Sequence, residues 1–586
     1  MEDHLGNDGS EPQTVPQSPN ADSTVIDRQS EPCLDEALTI LSRFGVSVIR
    51  IFSLLFLVVC AACNTPPEAP QLERLRIGMR RAPDSLNPYV STRLEGELIA
   101  FRLYPKLFIE SPPKSEGLPV LQPFLLANHQ WREDGLTLEL ELKKGLTWSD
   151  GEPLTSADLD YTFSIQKDGE LGWVSSGRKE NVQGWQILDD HRLEVQFKRQ
   201  SAFNLLDLNE GVVVPRHFYG QWPTKEWIEM EWDRELVVYG PYQVDAWVPD
   251  ERLVLKGLGK NPAPTLGLAF VRDRDALFRL VESGELDYAI GLPIHRIPDL
   301  KDLAKPIVFP DLTFAFIGWN PLLPGAFEQS PPDDLDTLRQ LLQSKPHPIF
   351  GDSSVRRALT HAIRRESHLN NLWHGLGALP ANPWQAGLPY RKSTIEPLSY
   401  DPQKAAELLE KAGWILVDGI RQRDGKPFQF KVICNTGSPI REAYLLAIQE
   451  DLRAIGIHME IDMMEAGRYI QACSTRNFDA MFGSFRTGTR PDLSSLYGDE
   501  EAVNGYNFCS WIGQDSLLER VHLAKDLAEL ETSLRGLEEA FFRDQPLTML
   551  YRGMNVGSSS RQDLAIKANP LDYFFEIERW AVNSAQ

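Results

Sequence analysis

Between residues 136 and 142 apolar and acidic positions alternate, Leu136-Thr-Leu-Glu-Leu-Glu-Leu142. Side chains of a strand point to opposite faces in turn, so this pattern predicts a half-buried antiparallel strand. Arg192-Leu-Glu-Val-Gln-Phe197 repeats it. Residues 242–248 and 252–255 read as a hairpin. Shorter apolar runs at 75–78, 287–291, 313–320, 428–434 and 457–462 predict further strands. Helical spacing marks 95–104, 156–165, 275–283, 353–371, 401–413, 439–456 and 527–541. Asp401 with Pro402 starts one of these and Gly413 stops it. Residues 324–352 are rich in Pro, Asp, Gln and Ser and read as an inserted loop. No internal repeat or heptad run occurs. Helices and strands mix without regular alternation, which predicts several α/β lobes rather than one barrel.

The N-terminus follows other rules. Residues 1–40 are polar and acidic, and read as a disordered leader or as sequence upstream of the true start. Arg43 and Arg50 then precede a run from Ile51 to Ala62. That run falls short of the roughly 20 residues a spanning helix needs. Short apolar runs behind arginines and ahead of small residues are export signals. Ala61-Ala62-Cys63 ends this one, with Asn64-Thr-Pro-Pro-Glu-Ala-Pro70 as a tether, so 41–63 reads as a lipoprotein signal segment and 64–73 as the tether. Cys60 is a second candidate for the lipidated residue. An uncleaved anchor over 44–62, with Arg50 snorkelling, is the alternative.

Composition narrows the function. The chain has 586 residues, 60 Lys+Arg against 83 Asp+Glu, and a net charge of −23. Such an acidic chain lacks the charge for phosphate backbones, so no nucleic-acid partner is expected. Three cysteines follow Cys63 (Cys434, Cys473 and Cys509), enough for at most one disulfide. No P-loop, no Gly-x-Ser-x-Gly elbow and no His-Glu-x-x-His stretch is present. His361, His368 and His374 read as surface residues, with 361 and 368 on one helix face. No catalytic residue, metal site or cofactor is expected.

The body of the chain resembles the bacterial extracellular solute-binding proteins of the oligopeptide, dipeptide and nickel class, family 5. The stretch from Leu142-Lys-Lys-Gly-Leu-Thr-Trp-Ser-Asp-Gly to Tyr161-Thr-Phe163 is similar to the family signature, with Thr155 and Asp158 spaced as a capping box. Pro83-Asp-Ser-Leu-Asn-Pro88, Leu103-Tyr-Pro-Lys-Leu107, Gly240-Pro-Tyr-Gln-Val244, Gly284-Glu-Leu-Asp287, Val355-Arg-Arg-Ala358 and Tyr400-Asp-Pro-Gln403 follow in the family's order.

The resemblance implies an α/β, three-lobed periplasmic binding protein-like fold (type II, cluster C), two ligand-enclosing lobes plus an extra lobe. Lobe I would hold 74–112, 237–311 and 553–586, lobe II 113–236, and lobe III 312–552. It implies the substrate-binding component of an ABC importer. That component captures peptides or similar small solutes at the periplasmic or outer membrane face and hands them to a permease. It would be a lipid-anchored monomer. A membrane-anchored sensor or chaperone-like domain is the alternative use of the same fold.

By position, the cleft residues would be Ser91, Thr92, Arg93, Phe314, Phe316, Trp319, Phe485, Arg486 and Tyr551. Peptide-binding members place an Asp after the 479–484 strand to pair with the substrate's ammonium. This chain reads Arg486-Thr-Gly-Thr-Arg-Pro-Asp492. Asp492 is then the substitute acid; otherwise Arg486 or Arg490 points to an anionic ligand.

Overall fold

The computed structural model describes residues 73–113, 118–232, 235–258, 264–301, 305–384, 395–487 and 490–580. The signal segment, Cys63 and the tether up to residue 72 lie outside the described residues.

Among the described residues the largest sheet has ten strands. From one edge they run His458–Met464, Gln429–Asn435, Ala480–Arg486, Lys305–Trp319, Leu547–Ser559, Tyr288–Ile290, Arg74–Met79, Thr265–Phe270, Arg252–Gly257 and Tyr242–Val248. Two long antiparallel strands, Lys305–Trp319 and Leu547–Ser559, form its middle. Their pairing slips between Pro310 and Phe314, and again between Ala315 and Phe316. Before the slip the 305–310 stretch pairs alongside residues 554–559; after it, 313–319 also pairs with Ala480–Arg486. Such bulges bend a strand and sharpen its twist. The two halves of the sheet are therefore joined by a kinked two-strand bridge.

The alternating segments form a second sheet in the order Leu126–Trp131, Thr137–Leu142, Arg192–Phe197, Val182–Asp189. Leu138, Leu140 and Leu142 are buried and Glu139 and Glu141 are not, as the alternation requires. The helix Ser156–Gln166 covers its inner face with Leu159 and Phe163. Both arms of the Thr155/Asp158 capping box form; Asp158 Oδ2 accepts from the Thr155 amide at 2.9 Å.

Family-like motifs turn out to be joints. Asp287 takes Arg76 in a two-point ion pair, Nη2–Oδ1 2.7 Å and Nε–Oδ2 3.1 Å. Gly240 packs so tightly that a Cβ would sit 2.0 Å from the Arg102 carbonyl oxygen. Arg356 is buried and donates to the carbonyls of Phe350, Asp544 and Gln545. It closes the C-terminal end of the helix Leu527–Asp544, where carbonyls lack partners.

Three local expectations are corrected. The inserted loop contains the helices Ala326–Gln329 and Leu335–Ser344, the latter capped by Asp334. The 353–371 helix is two, Ser353–Ala362 and Arg365–Leu372, because Ile363 is extended at φ −96° and ψ 127°. His361 and His368 therefore share no helix face, and His368 is buried against Asp451 at 2.6 Å. Cys434, Cys473 and Cys509 are all free buried thiols.

Candidate cleft at the strand bridge

The slip lies where the two halves of the sheet meet. Thr313–Arg486 and Phe314–Phe485 are paired there. Phe485 is half-buried and packs its ring against Phe316 at 5.5 Å and Phe314 at 6.3 Å. Phe314 and Phe316 are 0% and 1% exposed. They are the floor beneath Phe485, not a contact surface. Trp319 is 1% exposed, donates to Thr548 Oγ1 at 3.0 Å and stacks on Phe350, so it is a core residue. Tyr551 is wedged between Trp373 and Tyr444, with centroids at 4.9 and 4.8 Å. These four nominations are corrected for one reason: aromatic rings next to a sheet crossover are drawn into the core, where they bury most area.

Arg486 is exposed. It lies within electrostatic reach of Tyr573, whose hydroxyl accepts from Asn555 at 2.8 Å, and of Glu97 on the helix Leu94–Leu103. The Glu97 side chain is exposed, and its carboxyl is crowded by surrounding protein. Desolvation pushes its carboxyl up to about 7, with Glu210 adding to the rise and Arg486 and Lys106 opposing it. Lys106 is paired to Glu110 at 2.6 Å, and Glu110 also accepts from Asn209 at 2.9 Å. Glu97 was not singled out from sequence. It lies on the polar side of a short helix, and nothing nearby in the chain tells that Arg486 comes within electrostatic reach of it.

Ser91, Thr92 and Arg93 form the turn leading into that helix. Thr92 donates to Asp84 Oδ2 from its amide at 2.9 Å and from its hydroxyl at 2.7 Å, and Ser91 bonds Oδ1. Arg93 reaches the Ala82 carbonyl at 3.2 Å and stays exposed. The hydroxyls are thus spent on their own turn, and they hold Asp84 ionised below its ordinary range against the desolvation that opposes it.

The 490–492 alternatives are both closed. Arg490 is 7% exposed and pairs with Asp207 at 2.8 Å, with its guanidinium 4.6 Å above the Phe203 ring. Asp492 accepts from the Ser494 amide at 3.0 Å and lies 2.9 Å from His522 Nδ1. Burial would push its carboxyl up, but His522, Ser494 and Arg490 hold it well below the usual carboxylate range. Neither side chain is available to a ligand. Together they bolt the second sheet's domain to the far half of the molecule, where Phe203 joins the Phe314–Phe316 core.

One mixed sheet divided by a two-strand bridge, with a third lobe attached, is the architecture of the solute-binding class. The family model for bacterial extracellular solute-binding proteins, family 5, matches residues 120–506. The chain belongs to that family, and its class of work is that of the substrate-binding component of an ABC importer. The oligopeptide-binding protein AppA of Bacillus subtilis is 23% identical over 473 residues, covering 76% of this chain and 81% of AppA. The structure of that protein with a nonapeptide superposes with a TM-score of 0.66 at 22% identity, over 87% of this chain and 99% of the other. NikZ of Campylobacter jejuni with Ni(L-His) gives 0.68 at 18% identity, over 88% and 100%. DppA of Helicobacter pylori with the peptide STSA gives 0.63 at 18%, over 86% and 97%. At these identities the structural likeness speaks for the fold. The family is extracellular, which places the folded body outside the cytoplasm. Among the described residues no helix is long and apolar enough to cross a membrane.

Proposed function

We propose that this protein binds peptides in the cleft at the strand bridge, as a receptor lipidated at Cys63, working as a monomer and without catalysis. The observation that carries the peptide reading is that two opposite charges, Glu97 on the helix Leu94–Leu103 and Arg486 at the end of the strand Ala480–Arg486, lie within electrostatic reach of each other at the bridge. A peptide is a zwitterion. Its ammonium is matched by a carboxylate and its carboxylate by a guanidinium. Glu97 takes the part that the absent Asp near residue 487 plays in peptide-binding relatives. The neighbours solved with a nonapeptide and with STSA support the ligand class.

Thermal unfolding of the full chain with graded mixtures of tri- to pentapeptides tests the reading. A ligand that binds only the native state raises the midpoint with its concentration, by about 2.7 kcal/mol of stability at a hundred times Kd. A flat midpoint up to millimolar peptide refutes it. Lipidation is read from the mass of the native N-terminus and from Cys63→Ser. The variant is expected to leave the membrane fraction; one that stays with the membrane refutes the anchor at Cys63.

A further inference from the structure

We propose that Arg80, Arg81 and Arg274 form an oxyanion subsite of the cleft, which takes an acidic side chain of a bound peptide. The inference rests on the peptide reading above and names the class of peptide.

The sequence pointed to Arg490 for an anion, and the structure spends Arg490 on Asp207. Three other arginines are not spent. Arg80 and Arg81 directly follow the strand Arg74–Met79, and Arg274 opens the helix Arg274–Glu282 after the strand Thr265–Phe270. These two strands are parallel neighbours. Their carboxyl ends thus deliver all three side chains to one place, and in open α/β sheets that edge is where ligands bind. Arg80 is held there: its stem lies against Gly291, where a Cβ would come 3.0 Å from Cδ. Gly291 has φ +85°, so both its backbone and its missing side chain favour glycine.

Among the described residues none of the three guanidiniums has an ion pair or hydrogen bond, and the Arg80 Nε is buried without a partner. Arg81 and Arg274 are exposed and Arg80 half-buried. Desolvation and mutual repulsion weaken the hold of Arg80 and Arg274 on their protons. Glu95 acts on Arg80 and Asp311 on Arg274 through charge alone, with no ion pair formed, so two acids oppose three cations. Asp273 and Asp275 are otherwise engaged, Asp273 on the Ala276 amide and Asp275 near His295 and Arg296. A guanidinium trio is costly when empty in a chain of net charge −23, which has acids to spare. A carboxylate would supply the missing acceptors in the fork geometry that arginine prefers. Asp311 lies on the bridge strand Lys305–Trp319, within electrostatic reach of Arg274 and of Tyr573, and Tyr573 is in reach of Arg486. The trio thus sits at the carboxyl edge of the strands beside the bridge, on the side where Glu97 and Arg486 lie within electrostatic reach of each other.

The test compares two pentapeptides, Ala-Ala-Ala-Ala-Ala and Ala-Ala-Asp-Ala-Ala, by calorimetric titration of the full chain. The wild type is expected to prefer the acidic peptide by about tenfold, the usual worth of one good charge-assisted contact. Arg80→Gln with Arg274→Gln is expected to bring that ratio to about one. Arg81→Gln, at an exposed position that cannot unsettle the core, is expected to cut the ratio about threefold. Equal affinities in the wild type, or a preference that survives both variants, overturn the subsite and leave the peptide reading standing. Failure of the wild type to bind either peptide overturns both.

Discussion

Glu97 carries a prediction that follows from its surroundings alone. Desolvation by the surrounding protein, with repulsion from Glu210, pushes its carboxyl up to about 7. A bound ammonium requires the ionised form. Ligand affinity should therefore rise with pH up to about 7 and fall by about tenfold for each unit below. Calorimetry at pH 5.5, 6.5 and 8.0 checks this, and Glu97→Gln should give a flat and weaker profile. The stability linkage has the opposite sense. The folded state holds a proton that the unfolded chain has released, so Glu97 detracts from stability as pH rises from 4.5 through 7. Gly240 makes a second prediction at this scale. Gly240→Ala would drive a Cβ to 2.0 Å from a backbone oxygen that cannot swing aside. It should cost about 3 kcal/mol in urea unfolding, the upper end for overpacking. A loss under about 1 kcal/mol would mean the strand shifts freely there.

Elements were mostly legible, and the reason is local. Alternation at 137–142 and 192–197, the Thr155/Asp158 box and the Asp401-Pro402 start all act within a few residues. Elements were misread where a distant contact decided. Ile363 breaks a helix that periodicity would continue, because Arg364 is drawn to Asp451 at 2.6 Å and Arg365 to the Met549 carbonyl at 3.1 Å. The 324–352 stretch has a loop's composition, yet Asp334 caps a helix whose Leu338 is fully buried. Helix ends also locate a test. Arg356→Met removes the donor that three carbonyls share around the end of Leu527–Asp544. Those acceptors lose their partner in a dry site, so the expected loss is about 3 kcal/mol by urea denaturation.

For the whole molecule the decisive contact is Asp207–Arg490, which ties the second sheet's domain to the half that carries Phe314 and Phe485. Both side chains are nearly buried, at 6% and 7%. Arg490→Gln removes the nearer of two guanidiniums from a buried carboxylate and leaves it only Arg178 at 3.8 Å, so a loss of about 3 kcal/mol is expected. The free variant should show a larger radius of gyration by small-angle scattering, and peptide should restore the smaller one. An unchanged radius would mean that the pair holds nothing closed.

The sequence by itself determined the alternating strands, the helix caps, the acidic balance and the ordered series of motifs that mark the family. Each depends on spacing along the chain or on composition, and neither needs a fold to exist. Only the tertiary structure decided which charges remain for a ligand. Arg490 and Asp492 looked available and are consumed, whereas Glu97, Arg80, Arg81 and Arg274 looked ordinary and make no ion pair among the described residues. An ion pair is made or left unmade by residues hundreds of positions apart. The aromatic rings at 314, 316, 319 and 551 went to the core for the same reason: burial is a property of the packed sheet, and no run of letters contains it.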